Sequence, residues 1–212
     1  MPAGRAHRRP VPKDAAFFEE HGEGVDPSLV AEAAERAAVA LVRGARDSAD
    51  DAVADRVIHL ADTEGIEALA ELWSHAAADS LAGCLWRLYV LRSWVYADPD
   101  TAAREFDAGR QHAEFARVVA GVADPPGPDE LRRMVDEVLR GIAVGDFADV
   151  LLRAAAFARV VAAGRAALGD PTTEVAQRVG AGDRDGDTVR RMLVLAEQLE
   201  AAGHLELQRG LG

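Results

Sequence analysis

Acidic and imidazole side chains at helical spacing are the first residues in this chain that could do chemistry. Glu71, His75 and Asp79 stand four residues apart, and on a continuous α-helix they would share one face and could bind a cation. Acidic residues make up 36 of 212, however, so a helical histidine often meets one at this spacing by chance. No second histidine follows four residues later. We therefore interpret the three as solvated, ion-pairing groups and predict no metal site and no cofactor.

The sequence contains no recognisable motif for nucleophilic catalysis or for nucleotide binding. Cys84 is the only cysteine, and it falls inside a predicted helix rather than at a helix N-terminus, where a thiolate would be stabilised. We interpret it as a small buried hydrophobic residue. The chain has no G-x-S-x-G nucleophile elbow, no phosphate-binding P-loop and no G-x-G-x-x-G fingerprint. The sequence thus predicts no catalytic or cofactor-binding residue and leans against an enzyme.

Aromatic and arginine side chains are concentrated in the most apolar segment, residues 80 to 97. They are Trp86, Arg87, Tyr89, Arg92 and Trp94. If the segment is a core helix, each buried guanidinium needs a carboxylate, for which Asp98, Glu105, Asp107 or acids on other helices are candidates. If the segment is partly exposed, these residue types are the ones that dominate binding energy at protein interfaces. A site for a small anionic ligand is the third interpretation, and the sequence leaves all three open.

The N-terminal segment, residues 1 to 25, is basic and has no hydrophobic periodicity. Arg5, Arg8, Arg9 and Lys13 lie among prolines, a composition typical of disorder. The segment is either a solvated tail or an arm that contacts nucleic acid or an acidic partner. The whole chain has a net charge of -12, which repels phosphates, so any nucleic-acid contact would be confined to this arm.

Start and stop signals divide the rest of the chain into helices. Asp26-Pro27, Ser80, Asp98-Pro99 and Asp146 are N-cap signals, and the prolines between 125 and 128 are the strongest helix breakers. Between these signals apolar residues recur three and four apart, and no segment alternates as a strand would. We therefore predict an all-α fold, an irregular bundle of seven to eight helices.

The segment from Ser80 to Ala97 is apolar nearly all round, which predicts the central, buried helix of the bundle. Residues 26 to 212 are predicted as a single α-helical domain. The helical pattern weakens after Gly169, which leaves open that residues 170 to 212 are a loosely attached helical appendage. Within it we predict a last helix from about Asp187 to Ala202, followed by a frayed tail.

The composition of the chain indicates the cellular compartment in which we expect the protein. A single cysteine in 212 residues excludes a disulfide framework and fits a reducing cytoplasm. The N-terminus has arginines but no apolar stretch directly after them, so we expect no secretory signal. Arg87 and Arg92 interrupt the longest apolar stretch, which makes it too short and too charged to cross a bilayer. We expect a soluble, cytoplasmic protein with no membrane contact.

Seven short stretches of the chain carry a resemblance. They are Leu-Ala-Glu-Leu-Trp at 69–73, Ser-Leu at 80–81, Leu-Trp-Arg-Leu-Tyr-Val-Leu-Arg at 85–92, Val-Val-Ala-Gly-Val at 118–122, Pro-Pro at 125–126, Gly-Asp-Phe at 145–147 and Ala-Ala-Phe at 155–157. Over residues 28 to 168 or so, the sequence resembles a group of small, largely uncharacterised actinobacterial all-helical proteins. The use of arginine in place of lysine agrees with that source. Some members carry the automatic label RNA polymerase β subunit, which implies at most a link to transcription, because the true β subunit is several times longer. The resemblance supplies no catalytic or binding residue.

Three functions stay open at this point. The first is a non-enzymatic helical protein that acts through protein–protein contact, as a homo-oligomer or an accessory subunit, using the aromatic and arginine residues of the segment 80–97. The second is a transcription-associated factor that uses its basic N-terminal arm. The third is a small-ligand-binding protein or enzyme without a recognisable motif, whose pocket only the fold would reveal.

Overall fold

Seven α-helices make up most of what the computed structural model describes, which is residues 26–43, 65–112, 125–139, 146–169, 184–209 and 211. They are α1 (Pro27–Arg43), α2 (Ile66–Trp73), α3 (Leu81–Ala97), α4 (Pro99–His112), α5 (Pro128–Leu139), α6 (Phe147–Gly169) and α7 (Arg184–Arg209). No strand occurs in these ranges, and the predicted all-α bundle of seven to eight helices is confirmed. None of the described helices combines the length and the apolarity that crossing a bilayer requires. The basic arm over residues 1 to 25 lies outside the described residues.

The predicted N-caps are confirmed at four helix starts. In each, a side-chain oxygen accepts a hydrogen bond from a backbone N–H of the first turn, which would otherwise lack a partner within the helix. The pairs are Asp26 Oδ1 with Ser28 N at 2.9 Å, Ser80 Oγ with Gly83 N at 3.1 Å, Asp98 Oδ1 with Thr101 N at 3.0 Å, and Asp146 Oδ1 with Ala148 N at 3.0 Å. The helix α5 begins instead at Pro128, within the predicted breaker, because proline fits the first helical position.

The helix α3 lies at the centre of the described helices, as predicted, and contacts each of the other six. One side of it is fully buried, with the residues Leu81, Cys84, Leu85, Leu88, Leu91 and Val95. Its N-terminus is held by Glu35 of α1, whose two carboxylate oxygens accept hydrogen bonds from the N–H groups of Leu81 and Ala82 at 3.1 and 3.2 Å. A carboxylate at this positive end of the helix dipole is favourable, so the contact fixes α3 against α1.

Glycines let α4 and α6 approach each other closely. A Cβ atom at Gly164 would lie 1.7 Å from the carbonyl oxygen of Glu105, and one at Gly109 would lie 1.9 Å from that of Val160. Only glycine avoids these clashes, so the two helix backbones pack without a side chain between them. Beside this contact, Nε and Nη2 of Arg165 donate to the two carboxylate oxygens of Glu105 at 2.9 and 2.7 Å.

The helix α7 is longer than predicted. It runs from Arg184 to Arg209, so the expected helix from 187 to 202 with a frayed tail is wrong at both ends. A tertiary contact holds the C-terminal extension against the bundle. Arg43 of α1 donates a hydrogen bond to the Glu206 carboxylate at 2.8 Å and another to the Leu211 carbonyl oxygen at 3.0 Å. Leu211 itself is buried, so the tail is held against the bundle.

The side of α7 that faces α6 is built from small and medium apolar residues. Ala196, Leu199 and Ala202 are buried along it. At Gly203 a Cβ atom would lie 2.9 Å from Leu152 Cγ of α6, which shows how close the two helices run. The described part of the segment 170–212 is therefore packed along α6 through buried residues.

Candidate functional site

The outward side of α3 carries a stripe of three apolar residues and one serine. Trp86, Val90, Ser93 and Ala97 follow one another at i, i+4, i+7 and i+11, which places them on one face of the helix. Val90 is 37% exposed and Ala97 is exposed, while Trp86 and Ser93 are half-buried. We call these four residues the α3 stripe. The central helix therefore keeps one mostly apolar face partly exposed to solvent.

Two tyrosines flank the α3 stripe on the side of α5. The Tyr89 ring stacks on the Trp86 ring, with centroids 5.8 Å apart and planes at 24°. Tyr96 is 45% exposed, and its hydroxyl donates a hydrogen bond to Asp136 Oδ2 of α5 at 2.7 Å. This hydrogen bond, with a smaller contribution from burial, raises the pKa of Tyr96. The stripe therefore widens into an aromatic surface with fixed side chains.

Arg92 belongs to a polar cluster between α3 and α5. Its Nε donates to Asp136 Oδ1, and its guanidinium lies 4.4 Å from the centre of the Tyr96 ring. Arg132 of α5 lies 5.0 Å from the centre of the same ring and pairs with Asp129. The residues beside Arg92 line an open groove of about 560 Å³, and they are Tyr96, Asp129, Arg132, Arg133, Asp136 and Glu137. With Arg92 the cluster holds three arginines and three acids, so it has no net charge that would attract an ionic ligand.

Arg87 lies on the opposite flank of the stripe and points toward α7. Its Nε donates to Gln198 Oε1 and its Nη1 donates to the Gly83 carbonyl oxygen, both at 2.7 Å. Among the described residues, no carboxylate forms an ion pair with it. Burial lowers the pKa of the guanidinium, and the nearby Cys84 and Asp79 oppose that change. Arg87 is thus a partly buried cation held by neutral oxygen atoms.

Trp94 lies on the side of α3 that faces α6. Its ring centroid is 6.5 Å from that of Phe157, and the Arg165 guanidinium lies 5.2 Å from the centre of the indole. Trp94 therefore joins α3 to α6. The five residues selected from the sequence point in different directions: Trp86 and Tyr89 to the outward face, Arg87 to α7, Arg92 to α5 and Trp94 to α6.

Three carboxylates are named from the sequence as candidate partners of the α3 arginines, and none of them binds Arg87 or Arg92. They are Asp98, Glu105 and Asp107. Asp136 and Gln198 take those places, 44 and 111 positions along the chain from the arginines that they bind. Neither residue carries a local signal in the sequence, because its role depends on which helices pack against α3. The expectation of acidic partners on other helices is confirmed for Arg92 and wrong for Arg87, whose partners are the Gln198 side-chain oxygen and the Gly83 carbonyl oxygen.

The acidic and imidazole residues Glu71, His75 and Asp79 do not share a helix face. The helix α2 ends at Trp73 and α3 begins at Leu81, so the continuous helix assumed for these three residues is wrong. His75 Nδ1 instead lies 2.8 Å from the hydroxyl of the neighbouring Ser74. Across the described ranges, no three His, Cys, Asp or Glu side chains are grouped so that they could hold a metal ion.

Cys84 is fully buried, and its interpretation as a small core residue is confirmed. Its thiol lies 3.7 Å from the Ala78 carbonyl oxygen. Burial raises the pKa of Cys84 to about 12, although the nearby Arg87 opposes the shift. The thiol is therefore protonated at neutral pH, whereas a nucleophilic cysteine needs to be a thiolate.

Comparisons of the chain with models of protein families, with curated proteins and with solved structures found no match. The geometry of α3 and its neighbours is therefore the basis for a functional proposal.

Proposed function

We propose that the chain is a non-enzymatic helical protein that binds a protein partner through the outward face of α3. The α3 stripe is the single observation that carries this proposal. A helix that contacts all six other described helices nevertheless presents apolar and aromatic side chains to solvent. Soluble proteins rarely leave a contiguous apolar face uncovered unless something binds there.

The residue types on this face support the proposal. Tryptophan, tyrosine and arginine dominate the energetics of protein interfaces because they bury large areas and retain polar groups. Trp86 and Tyr89 are already stacked, and the Tyr96 hydroxyl is already bound by Asp136. Side chains that are ordered before binding lose little entropy on binding, so a surface of this kind is suited to docking.

The spacing of the stripe indicates the shape of the partner. Trp86, Val90, Ser93 and Ala97 follow the alternation of four and three residues found at the d and a positions of a coiled-coil seam. A second helix fits such a seam by inserting its side chains between those of the first. We therefore propose an α-helix of the partner as the element that contacts α3.

A pair of matched substitutions tests the proposed function. Val90→Asp places a carboxylate in the middle of the stripe, whereas Val194→Asp makes the same change on α7, where Val194 is 44% exposed. The native chain is immobilised and incubated with a lysate of its own source, and the purified chain is tested for self-assembly. We expect Val90→Asp to abolish the binding of proteins from the lysate or the self-assembly. Val194→Asp should leave both unchanged.

Circular dichroism melting curves of the two variants check that each is folded. If the Val90→Asp variant retains the same proteins and self-assembles to the same extent as the native chain, the outward face of α3 is not a binding surface.

A further inference from the structure

We infer that the partner helix is α3 of a second copy of this chain, packed antiparallel about a twofold axis. This inference rests on the proposed function and names its partner. Three properties of the α3 face carry it: the sizes of the side chains in the stripe, the distribution of charge and the positions of the flanking tyrosines.

The sizes of the stripe residues change from one end of α3 to the other. Trp86 and Val90 are the larger residues and lie in the N-terminal half, whereas Ser93 and Ala97 are small and lie in the C-terminal half. Antiparallel pairing places Trp86 of one copy opposite Ala97 of the other, and Val90 opposite Ser93. These pairs join a d position to an a position, which is the layer arrangement of antiparallel helix pairs.

Parallel pairing of the same stripe would pack poorly. Each residue would then face its own copy, so two Trp86 side chains would meet at one end and two Ala97 methyl groups at the other. The first pair would hold the helices apart and the second would leave a gap, and protein interiors and interfaces avoid such gaps. The gradient of size along α3 therefore favours the antiparallel arrangement.

Charge identifies α3 as the surface where two copies can meet. The chain has a net charge of -12, so most ways of bringing two copies together place carboxylates near carboxylates. Among the seven described helices, α3 alone contains no Asp or Glu. On its α5 flank, Asp136 is paired with Arg92 and Asp129 with Arg132, and Glu137 and Arg133 add one acid and one base, so this flank has no net charge. Two copies can therefore meet face to face here without carboxylate repulsion from α3.

The flanking tyrosines extend the contact in the antiparallel arrangement. Tyr89 and Tyr96 lie on the same side of the stripe, seven residues apart. About the twofold axis, Tyr89 of each copy lies beside Tyr96 of the other, so each aromatic contact occurs twice, as a closed twofold interface requires. Offset or edge-to-face aromatic pairs add binding energy beyond the area that they bury.

The size of the contact sets the expected affinity. A stable complex buries about 800 Å² per partner with roughly 20 to 30 residues a side, whereas the α3 stripe and its two flanking tyrosines are six residues. We therefore expect a reversible dimer with a dissociation constant on the order of micromolar, rather than a permanent one.

Sedimentation equilibrium of the full chain from low to high micromolar concentration tests the dimer. We expect a monomer–dimer equilibrium in which Val90→Asp weakens the dimer by at least about 100-fold, because two carboxylates would be buried in its centre without partners. Val194→Asp should leave the dissociation constant within about twofold of the native value, since surface substitutions away from a contact have small effects.

Disulfide cross-linking tests the direction of the pair. In the antiparallel dimer, chains with Trp86→Cys and chains with Ala97→Cys cross-link when they are mixed, while Ala97→Cys chains alone do not. In a parallel dimer, Ala97→Cys chains cross-link to one another, and that result would overturn the antiparallel assignment. Cys84 is buried and does not compete in the reaction.

The outcomes separate this inference from the proposed function. A chain that is monomeric at every concentration, but binds a different protein in a way that Val90→Asp abolishes, overturns the second copy as partner and leaves the proposed function standing. A monomer without any binding that depends on Val90 overturns both. A dimer that survives Val90→Asp uses another surface and also overturns the inference.

Discussion

At the scale of single residues, the most buried ion pairs join residues of different helices, while the pairs within one helix are more exposed. Arg43 reaches Glu206 at a separation of 163 positions, and the pair is mostly buried, with side-chain exposures of 26% and 6%. Arg165 and Glu105 are also nearly buried, with exposures of 11% and 10%. Breaking such a pair leaves a charge without a partner in a place that water reaches poorly, so these residues matter more for stability than exposed ion pairs do.

Glu206 gives a prediction that depends on pH. Burial tends to raise its pKa, but hydrogen bonds from Arg43 and from the Leu211 N–H outweigh burial, so the pKa lies below its ordinary value of 4.5. A lowered pKa in the folded chain means that the carboxylate stabilises the fold above that ordinary value, and the stabilisation is lost as the pH falls through the lowered pKa. We expect Glu206→Gln to reduce the free energy of unfolding by about 2 kcal/mol at pH 7 and by much less in acid.

Urea denaturation at neutral and acidic pH measures this difference. Glu197→Gln is the matched control, because Glu197 is an exposed residue of the same helix. A loss of stability for Glu206→Gln that is the same at both pH values would contradict the assignment of the effect to the ionised carboxylate.

At the scale of elements, close packing between helices depends on positions that have no side chain. Gly109 and Gly164 bring α4 against α6, and Gly203 brings α7 against the same helix. Glycine costs helix stability in isolation, by about 1 kcal/mol relative to alanine. Here the cost is offset by contacts that α6 makes with the neighbouring helices, including the stacked rings of Phe106 and Phe157, with centroids 5.5 Å apart.

Gly164→Ala tests this packing. The new Cβ atom would lie 1.7 Å from the Glu105 carbonyl oxygen, which is backbone and cannot rotate away, so α4 and α6 must move apart. We expect the free energy of unfolding to fall by about 3 kcal/mol, measured by urea denaturation.

Gly186→Ala supplies the comparison, since a Cβ atom at Gly186 in α7 would have nothing within 4 Å. That change should be neutral or stabilising by up to about 1 kcal/mol, because alanine is the better helix former. Equal stability of the Gly164→Ala variant and the native chain would show that the helices do not need the close approach.

At the scale of the whole molecule, α3 links the described helices into one core. It contacts all six of the others, and Arg43 joins the end of α1 to the end of α7. Glu35 joins α1 to the start of α3 in the same way. Because α7 lies along α6 and is tied to α1, the C-terminal helix shares this core.

We expect one cooperative unfolding transition for the whole chain, because removing any described helix exposes the buried side of α3 or α6. Ellipticity at 222 nm follows the helices, and tryptophan fluorescence follows Trp73, which is fully buried, together with the half-buried Trp86 and Trp94. The two signals should give the same midpoint in urea. Two resolved midpoints would instead indicate that a part of the chain, such as the C-terminal helix, unfolds separately.

The sequence by itself determined the helices and most of their starting points. N-caps such as Ser80 and Asp98 are local, since a side chain bonds to a backbone N–H a few residues further along, and periodic apolar residues mark the sides that must be buried. The central position of α3 could be predicted for the same reason, because a helix that is apolar nearly all round must be mostly covered. The burial of Cys84 follows from its place on that helix.

The tertiary structure decided which part of α3 stays uncovered and which residues bind its arginines. Hydrophobicity along the chain does not say on which side of α3 its neighbours pack, so the exposure of Val90 and Tyr96 could not be predicted. Asp136 and Gln198 become partners only when α5 and α7 are placed beside α3, and the end of α7 contacts α1 through Arg43 and Glu206. Such contacts join residues distant along the chain, and their energies depend on helix packing that no local pattern contains.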